Sequence, residues 1–252
     1  MKPQISQSSS SREFAVPSAL PSRIFVTGTD TNVGKTVVSA MMTIGLNAHY
    51  WKPIQSGTAD GTDSEWIRTV SKLSRDHFIP EAYSLRAPLS PHAAAQLEEV
   101  KIDLDTLILP EVEPLVVEGA GGIMVPLNEN QYMLDLICKF ALPTIIVARS
   151  GLGTINHTLL TIDKLRSAGV EILGVVMNGE KNLSNRIALE HYSQVSVLAE
   201  LPQIESLSLE SLQAQFEKYF VKEGVIQTAP NAVQNDLDVS KSVSTKTAVK
   251  AS

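Results

Sequence analysis

Lys35, Thr36, Lys52, Asp63 and Glu118 are the residues whose types and surroundings suit phosphate chemistry. Lys35 and Thr36 close the stretch Gly28-Thr-Asp-Thr-Asn-Val-Gly34-Lys35-Thr36, a loop that starts and ends on glycine. Glycines let the backbone turn its N–H groups inward around an anion, and a helix that follows points its positive end at the same anion. In such a loop the lysine reaches the outer phosphates and the Thr hydroxyl ligates Mg²⁺. Five residues, Thr29 to Val33, separate the glycines where the usual pattern has four, so the loop is a variant. The β-branched and aromatic run Ile24 to Thr27 before it reads as a strand, and the apolar run after Thr36 reads as a helix. In that context the loop is a nucleoside-triphosphate site rather than a glycine turn with a solvated lysine.

Glu118 ends the apolar run Leu115-Val-Val and precedes Gly119-Ala120-Gly121-Gly122. Nucleotide hydrolases and kinases keep a Mg²⁺-holding carboxylate at such a strand end, and the glycines permit close approach of phosphate or substrate. The alternative is a solvated loop carboxylate. Lys52 follows Tyr50-Trp51 and precedes Pro53, which sets a positive charge opposite Lys35. Two ammonium groups and Mg²⁺ would neutralise the charge on a transferring phosphoryl group and its acceptor. Asp63, after Gly61-Thr62, suits an N-cap about as well as a second metal-ligand role. Gly153 and Asn156 flank a helix start that suits a carboxylate trap or an ordinary cap.

The elements that must hold these residues alternate along the chain. Strands are expected at Tyr50–Lys52, Leu115–Glu118, Thr144–Ala148, Ile172–Met177 and Val197–Leu198, short apolar runs of the kind a parallel sheet buries. Helices are expected near 35–47, 64–74, 91–96, 104–109, 132–140, 155–167, 184–193 and 206–219. This predicts an α/β fold: a doubly wound, mostly parallel sheet of the P-loop NTPase type with helices on both faces. Ligands bind such sheets outside the carboxyl ends of the strands. Five of those ends carry polar or glycine-rich turns: the phosphate loop, Lys52 to Gly57, Glu118 to Gly122, Arg149 to Asn156, and Asn178-Gly179.

A chain of 252 residues, 43% hydrophobic, can bury one sizeable core. The expected division is a disordered Ser-rich leader over 1–20, a nucleotide-binding domain over 21–222 and a disordered polar tail over 223–252. A net charge of −6 gives no electrostatic reason to expect nucleic acid or acidic membrane as partner. The one cysteine, Cys138, excludes an internal disulfide and reads as packing in an apolar run. With no secretory signal block and no run of about 18 apolar residues, the expectation is a cytoplasmic enzyme acting on small molecules. The five histidines show no metal-ligand spacing.

Five motifs in one order resemble the dethiobiotin synthetase family: Phe25 to Thr36, Lys52-Pro-Ile-Gln-Ser56-Gly57, Ser90-Pro-His92, Val117 to Gly122, and Leu152-Gly-Thr-Ile-Asn-His157. The resemblance runs from about Arg23 to Leu201. It implies an ATP- and Mg²⁺-dependent reaction in biotin synthesis, in which 7,8-diaminopelargonate and CO₂ (bicarbonate) give dethiobiotin through a phosphorylated carbamate. By the same resemblance Thr36, Asp63 and Glu118 would hold Mg²⁺. Asn32, Val33, Gly34, Lys35, Thr36 and Val37, with Glu118, Gly119, Ala120 and Gly121, would wrap the triphosphate. Lys52 would stabilise the carbamate and its phosphorylation, helped by Thr31, Lys35 and Ser56. Asn178 and Pro202 match adenine-contacting positions. The family is a homodimer in which Gly151 to Asn156 of one subunit, Gly153, Thr154 and Asn156 included, grips the substrate carboxylate held by the other.

Two departures stand out. Lys35 and Lys52 are 52 − 35 = 17 residues apart, several fewer than the family leads one to expect, so the first helix and second strand must be trimmed. The stretch Gln203 to Glu210 matches the family poorly. Competing readings are an amidating synthetase of the same superfamily and a dimeric switch ATPase related to partition or septum-positioning proteins. The first usually needs a glutaminase domain with a Cys nucleophile, and Cys138 falls in a helix of a short chain. The second bears a lysine early in the phosphate loop, where this chain has Thr29, Asp30 and Thr31.

Overall fold

The computed structural model describes residues 20–222, so the expected tail and all but the last residue of the expected leader lie outside the described residues. The main sheet has seven strands in the order β4-β2-β6-β1-β7-β8-β9. They are β1 (Arg23–Gly28), β2 (His49–Trp51), β4 (Phe78–Ile79), β6 (Leu115–Gly122), β7 (Thr144–Arg149), β8 (Ile172–Asn178) and β9 (Val197–Leu201). Every pairing is parallel. A parallel sheet buries both faces, which is why Ile24, Phe25 and Val26 of the central strand are all fully buried.

Alternate residues sort onto the two faces, as period two demands. Ile24, Val26, Val116 and Ile145 face α1 (Lys35–Gly45), α2 (Asp63–Ser71) and α7 (Leu209–Phe216), whose Met41, Met42, Ile67 and Leu212 complete one core. Phe25, Val117 and Ile146 face α3 (Pro91–Leu97), α4 (Met133–Phe140), α5 (Thr154–Ser167) and α6 (Leu183–Ser193) across the second core. Each such fully buried Val, Ile or Phe contributes about 1.5–3 kcal/mol. The helix after β1 and the helix after β6 thus cover opposite faces of adjacent strands. Their connections part there, outside the carboxyl ends of β1 and β6, the place where doubly wound sheets bind ligands.

Several sequence expectations need correction. Pro53 ends β2 at Trp51, and the chain then forms β3 (Ile54–Ser56), which pairs with β5 (Tyr83–Leu85) in a separate two-stranded sheet. Three residues are too few to show an alternating pattern. The helix expected near 104–109 is a single 3₁₀ turn, Leu104–Thr106. Asp103 accepts the Asp105 N–H at 2.9 Å and its carbonyl takes the Thr106 hydroxyl at 2.8 Å, local bonds that compete with helix propagation. The strand expected to end at Glu118 runs on to Gly122, and that expected over Val197–Leu198 runs to Leu201. The last helix starts at Leu209, where Ser208 forms a reciprocal cap with Ser211, and gives way to a π-helical turn, Glu217–Lys222. Cys138 is exposed, not packed: α4 buries Met133, Leu136, Ile137 and Phe140, and position 138 falls on the opposite face with Asp135 and Lys139.

Candidate active site

Glu118 and Lys52 meet because period two puts them on one face. Val116 faces the α1 side of the sheet, so Glu118 two residues later does too, and Tyr50 on the same face carries Lys52 with it. α1 begins on that face with Thr36. The result is a buried cluster at the mouth of the phosphate loop. Lys52 Nζ lies 3.1 Å from Glu118 Oε1 and is hydrogen-bonded to Asp63 as well. Thr36 Oγ1 donates to the same Glu118 Oε1 at 3.1 Å, and the Tyr50 hydroxyl donates to Glu118 Oε2 at 2.9 Å. Glu118 is completely buried and Lys52 is 5% exposed.

Asp63 is not the N-cap of α2. Thr62 caps the helix, accepting the Glu65 N–H at 3.1 Å while Glu65 Oε2 accepts the Thr62 N–H at 3.0 Å. That reciprocal box leaves the Asp63 carboxylate free to pair with Lys52. Burial alone would lower the Lys52 pKa, but Glu118 and Asp63 outweigh it and hold the ammonium above its ordinary range. Burial lowers Lys35 to about 8, with Glu118 pulling upward and Lys52 pushing down. Tyr50 stays a phenol: burial first, then Glu118 and Asp63, raise it well above its usual value.

The phosphate loop itself is preorganised. Gly34 caps α1 at φ 96° with no side-chain cap bond, so no side chain competes for an anion at that helix start. A Cβ there would fall 1.9 Å from Asn178 Nδ2, which reaches across from β8 to donate to the Val33 carbonyl at 3.0 Å. Lys35 Nζ bends back to the Asp30 carbonyl at 2.8 Å. Gly121, at φ 63°, lies close enough that a Cβ would sit 3.6 Å from Thr31 Oγ1. The loop and the glycine-rich end of β6 therefore lie side by side, with Gly28 paired to Gly122.

Most of the expected site residues converge here. Asn32 and Val37 lie in the loop and first turn, and Gly119 and Ala120 continue the strand beyond Glu118. Ser56 ends β3, and its hydroxyl is buried with no partner among the described residues. Pro202 follows Leu201, which pairs with Asn178 across β8 and β9. Gly153, Thr154 and Asn156 stand apart. Among the described residues no hydrogen bond or ion pair links them to the Lys52 cluster, and the Thr154 hydroxyl lies 3.4 Å from that of Thr158 inside α5. Despite the 17-residue interval from Lys35, Lys52 reaches Glu118, because α1 is only 11 residues long and Asn47 takes a left-handed turn before β2.

Three residues to which the motifs assign no role stand at the site: Tyr50, Asp30 and Arg149. The alternation His49-Tyr50-Trp51-Lys52 placed Tyr50 on the Lys52 face, which was the available signal. Mg²⁺ fits the arrangement. Thr36 Oγ1 bonds Glu118 Oε1, and the Lys52 ammonium bridges Glu118 to Asp63, so the three residues bring together the hard oxygen donors that Mg²⁺ takes.

An AAA domain family model matches residues 22–211. The ATP-dependent dethiobiotin synthetase of Paramagnetospirillum magneticum is 56% identical over 179 residues, covering 71% of this chain and 86% of the relative. That of Rhodopseudomonas palustris strain TIE-1 is 44% identical over 212 residues, covering 84% of this chain and all of the relative. Among solved structures, the septum site-determining protein MinD of Pyrococcus horikoshii is 14% identical with a TM-score of 0.48, covering 83% of this chain and 100% of that one. With those identities over most of its length, the chain belongs to the dethiobiotin synthetase family.

Proposed function

We propose that the chain is an ATP- and Mg²⁺-dependent dethiobiotin synthase, which carboxylates 7,8-diaminopelargonate with CO₂ and closes the ureido ring. The observation that carries this reading is the convergence of Thr36, Lys52, Asp63 and Glu118 on the phosphate loop. One amine of the diamine adds CO₂ to give a carbamate, ATP phosphorylates the carbamate oxygen, and the second amine closes the ring as phosphate leaves. A carbamate is a poor electrophile until that oxygen becomes a leaving group. The chemistry therefore asks for positioning and charge neutralisation, not for a protein nucleophile.

In this proposal Thr36, Asp63 and Glu118 hold Mg²⁺, which would draw charge from the phosphate oxygens. Lys52, released from the two carboxylates, swings its ammonium onto the carbamate, and Lys35 leaves the Asp30 carbonyl for the outer phosphates. Ser56, whose buried hydroxyl has no partner among the described residues, and Thr31 at the lip would orient the diamine end. Asn178 and Pro202, side by side beyond the loop, border the base. Gly153, Thr154 and Asn156 serve the site of a partner copy, gripping the substrate carboxylate at an uncapped helix start across a homodimer interface. The proposed location is the cytoplasm, in keeping with the lack, among the described residues, of any helix long and apolar enough to cross a membrane.

The test is ADP and phosphate release with ATP, Mg²⁺ and bicarbonate, with and without 7,8-diaminopelargonate, and product mass read in parallel. Diamine-dependent release with a dethiobiotin mass is expected. Release indifferent to the diamine would overturn the proposal and favour a switch ATPase.

A further inference from the structure

Asp30 puts a carboxylate in a loop built to hold an anion. Its local bonds explain its presence: Oδ1 accepts the N–H of the next residue, Thr31, at 2.7 Å, a bond that holds the lip, and its carbonyl holds Lys35 Nζ at 2.8 Å. Those bonds use the shape of the side chain. Its negative charge opposes the loop's purpose, since a carboxylate beside bound phosphates repels them, and more strongly next to protein than in water. Arg149, the last residue of β7, meets that charge. Its Nη2 lies 2.5 Å from Asp30 Oδ2. The reach is fixed by backbone, because Gly28 pairs with Val147 and the Thr29 N–H donates to the Val147 carbonyl at 2.9 Å. Both side chains are near half exposed, at 44% and 50%, so the pair adds little to stability. Its significance lies in where it stands.

We infer that Arg149 is a positioning residue for nucleotide binding: it cancels the Asp30 carboxylate at the lip of the phosphate loop, so that the loop keeps the local bond Asp30 makes to Thr31 without the repulsion Asp30 would bring. This rests on the reading of the loop as the ATP site. It does not require the diamine to be the second substrate, and binding of ATP alone tests it.

The measurement is the Kd for ATP with Mg²⁺ and without diamine, by titration calorimetry, in four proteins: wild type, Arg149→Ala, Asp30→Asn, and the double variant. Arg149→Ala should weaken ATP binding about five- to twenty-fold, the range expected for one uncompensated charge near phosphates. It should leave the melting temperature within about 2 °C, as for loss of an exposed pair. Asp30→Asn alone should bind ATP at least as tightly as wild type, since the amide can still accept the Thr31 N–H and Arg149 is left as surplus positive charge. The double variant should return to within about three-fold of wild type, and the Arg149→Ala defect should shrink in ~0.5 M salt. In turnover assays the defect should appear in KM for ATP with kcat little changed. If Arg149 instead touches phosphate directly or only braces the fold, Asp30→Asn will not rescue Arg149→Ala, and that outcome would overturn the inference. Diamine-independent turnover in wild type would overturn the proposed reaction and leave this four-protein comparison readable.

Discussion

Lys52 Nζ and Glu118 Oε1 stand 3.1 Å apart in a site where Glu118 has no solvent exposure at all. Taking two such charges out of water is costly, and the pair is tolerable only because Thr36, Tyr50 and Asp63 satisfy the remaining donors and acceptors. Removing one partner should therefore hurt more than removing both. Lys52→Met leaves the fully buried Glu118 carboxylate without its paired cation and is expected to destabilise the fold by about 3 kcal/mol, seen in urea unfolding. Lys52→Met combined with Glu118→Gln should recover most of that loss. Both variants should lack diamine-dependent ADP release. A single variant as stable as the double would show that the cluster is solvated rather than buried.

Lys35 gives the site a pH dependence. Burial holds its folded pKa near 8 against an ordinary 10.5, so between those values the unfolded chain binds the extra proton. The folded state carries this penalty in full below about pH 8, and stability from this group rises as pH climbs toward 10.5. Lys52, shifted upward, loses its contribution only above its ordinary range and does not oppose the trend inside that window. Nucleotide binding runs the other way, because a neutral Lys35 no longer attracts phosphate. The Kd for ATP should increase from pH 7 to pH 9.5, and Lys35→Met should bind weakly with little pH dependence. A wild-type Kd that is flat over that range would refute the assignment.

Much of this was readable from residue types. The glycine-bounded loop between a strand and a helix identified itself, and the carboxyl ends of β2, β6, β1, β7 and β8 are five adjacent edges, as the motif positions had implied. What stayed hidden depended on contacts between residues distant in sequence. Asp30 and Arg149 are 119 positions apart, and nothing local marks either as the other's counter-ion. The role of Gly45 was equally invisible: a Cβ there would fall 2.1 Å from Phe216 Cγ, so a glycine in a helix marks the place where α7 packs on α1. Asp63 was ambiguous because Thr62, one residue earlier, was an equally good cap and took the position. Short strands such as Ile54–Ser56 carry too few residues for any period to show.

Gly34 couples the loop's backbone to its side-chain brace. At φ 96°, a non-glycine residue is strained by about 1–2 kcal/mol, and its Cβ would also strike Asn178 Nδ2. Gly34→Ala should weaken ATP binding by more than ten-fold and lower the melting temperature. Adding Asn178→Ala removes the collision but not the backbone strain, so it should restore part of the melting temperature while leaving ATP binding weak. Full recovery of both would mean that the left-handed turn is dispensable, and no recovery would mean that Asn178 had moved aside unaided.

The helix start at Gly153 leads to the last prediction. Leu152 is fully exposed, Asn156 is exposed, and Gly151 and Gly153 have open space where a Cβ would sit, an apolar tip and an uncapped helix terminus standing free of the Lys52 cluster. If this segment completes a partner copy's site, the protein should sediment as a dimer. Asn156→Ala should then raise KM for the diamine about ten-fold or more while KM for ATP holds. Mixing decides the point. Lys52→Ala and Asn156→Ala subunits each make defective homodimers, but a mixed dimer carries one site with both defects and one with neither. Random reassociation of equal amounts should restore about a quarter of wild-type turnover at low diamine concentration, a consequence of two-fold symmetry. No restoration, with mixed dimers shown by mass to have formed, would place Asn156 on its own subunit's site or on none.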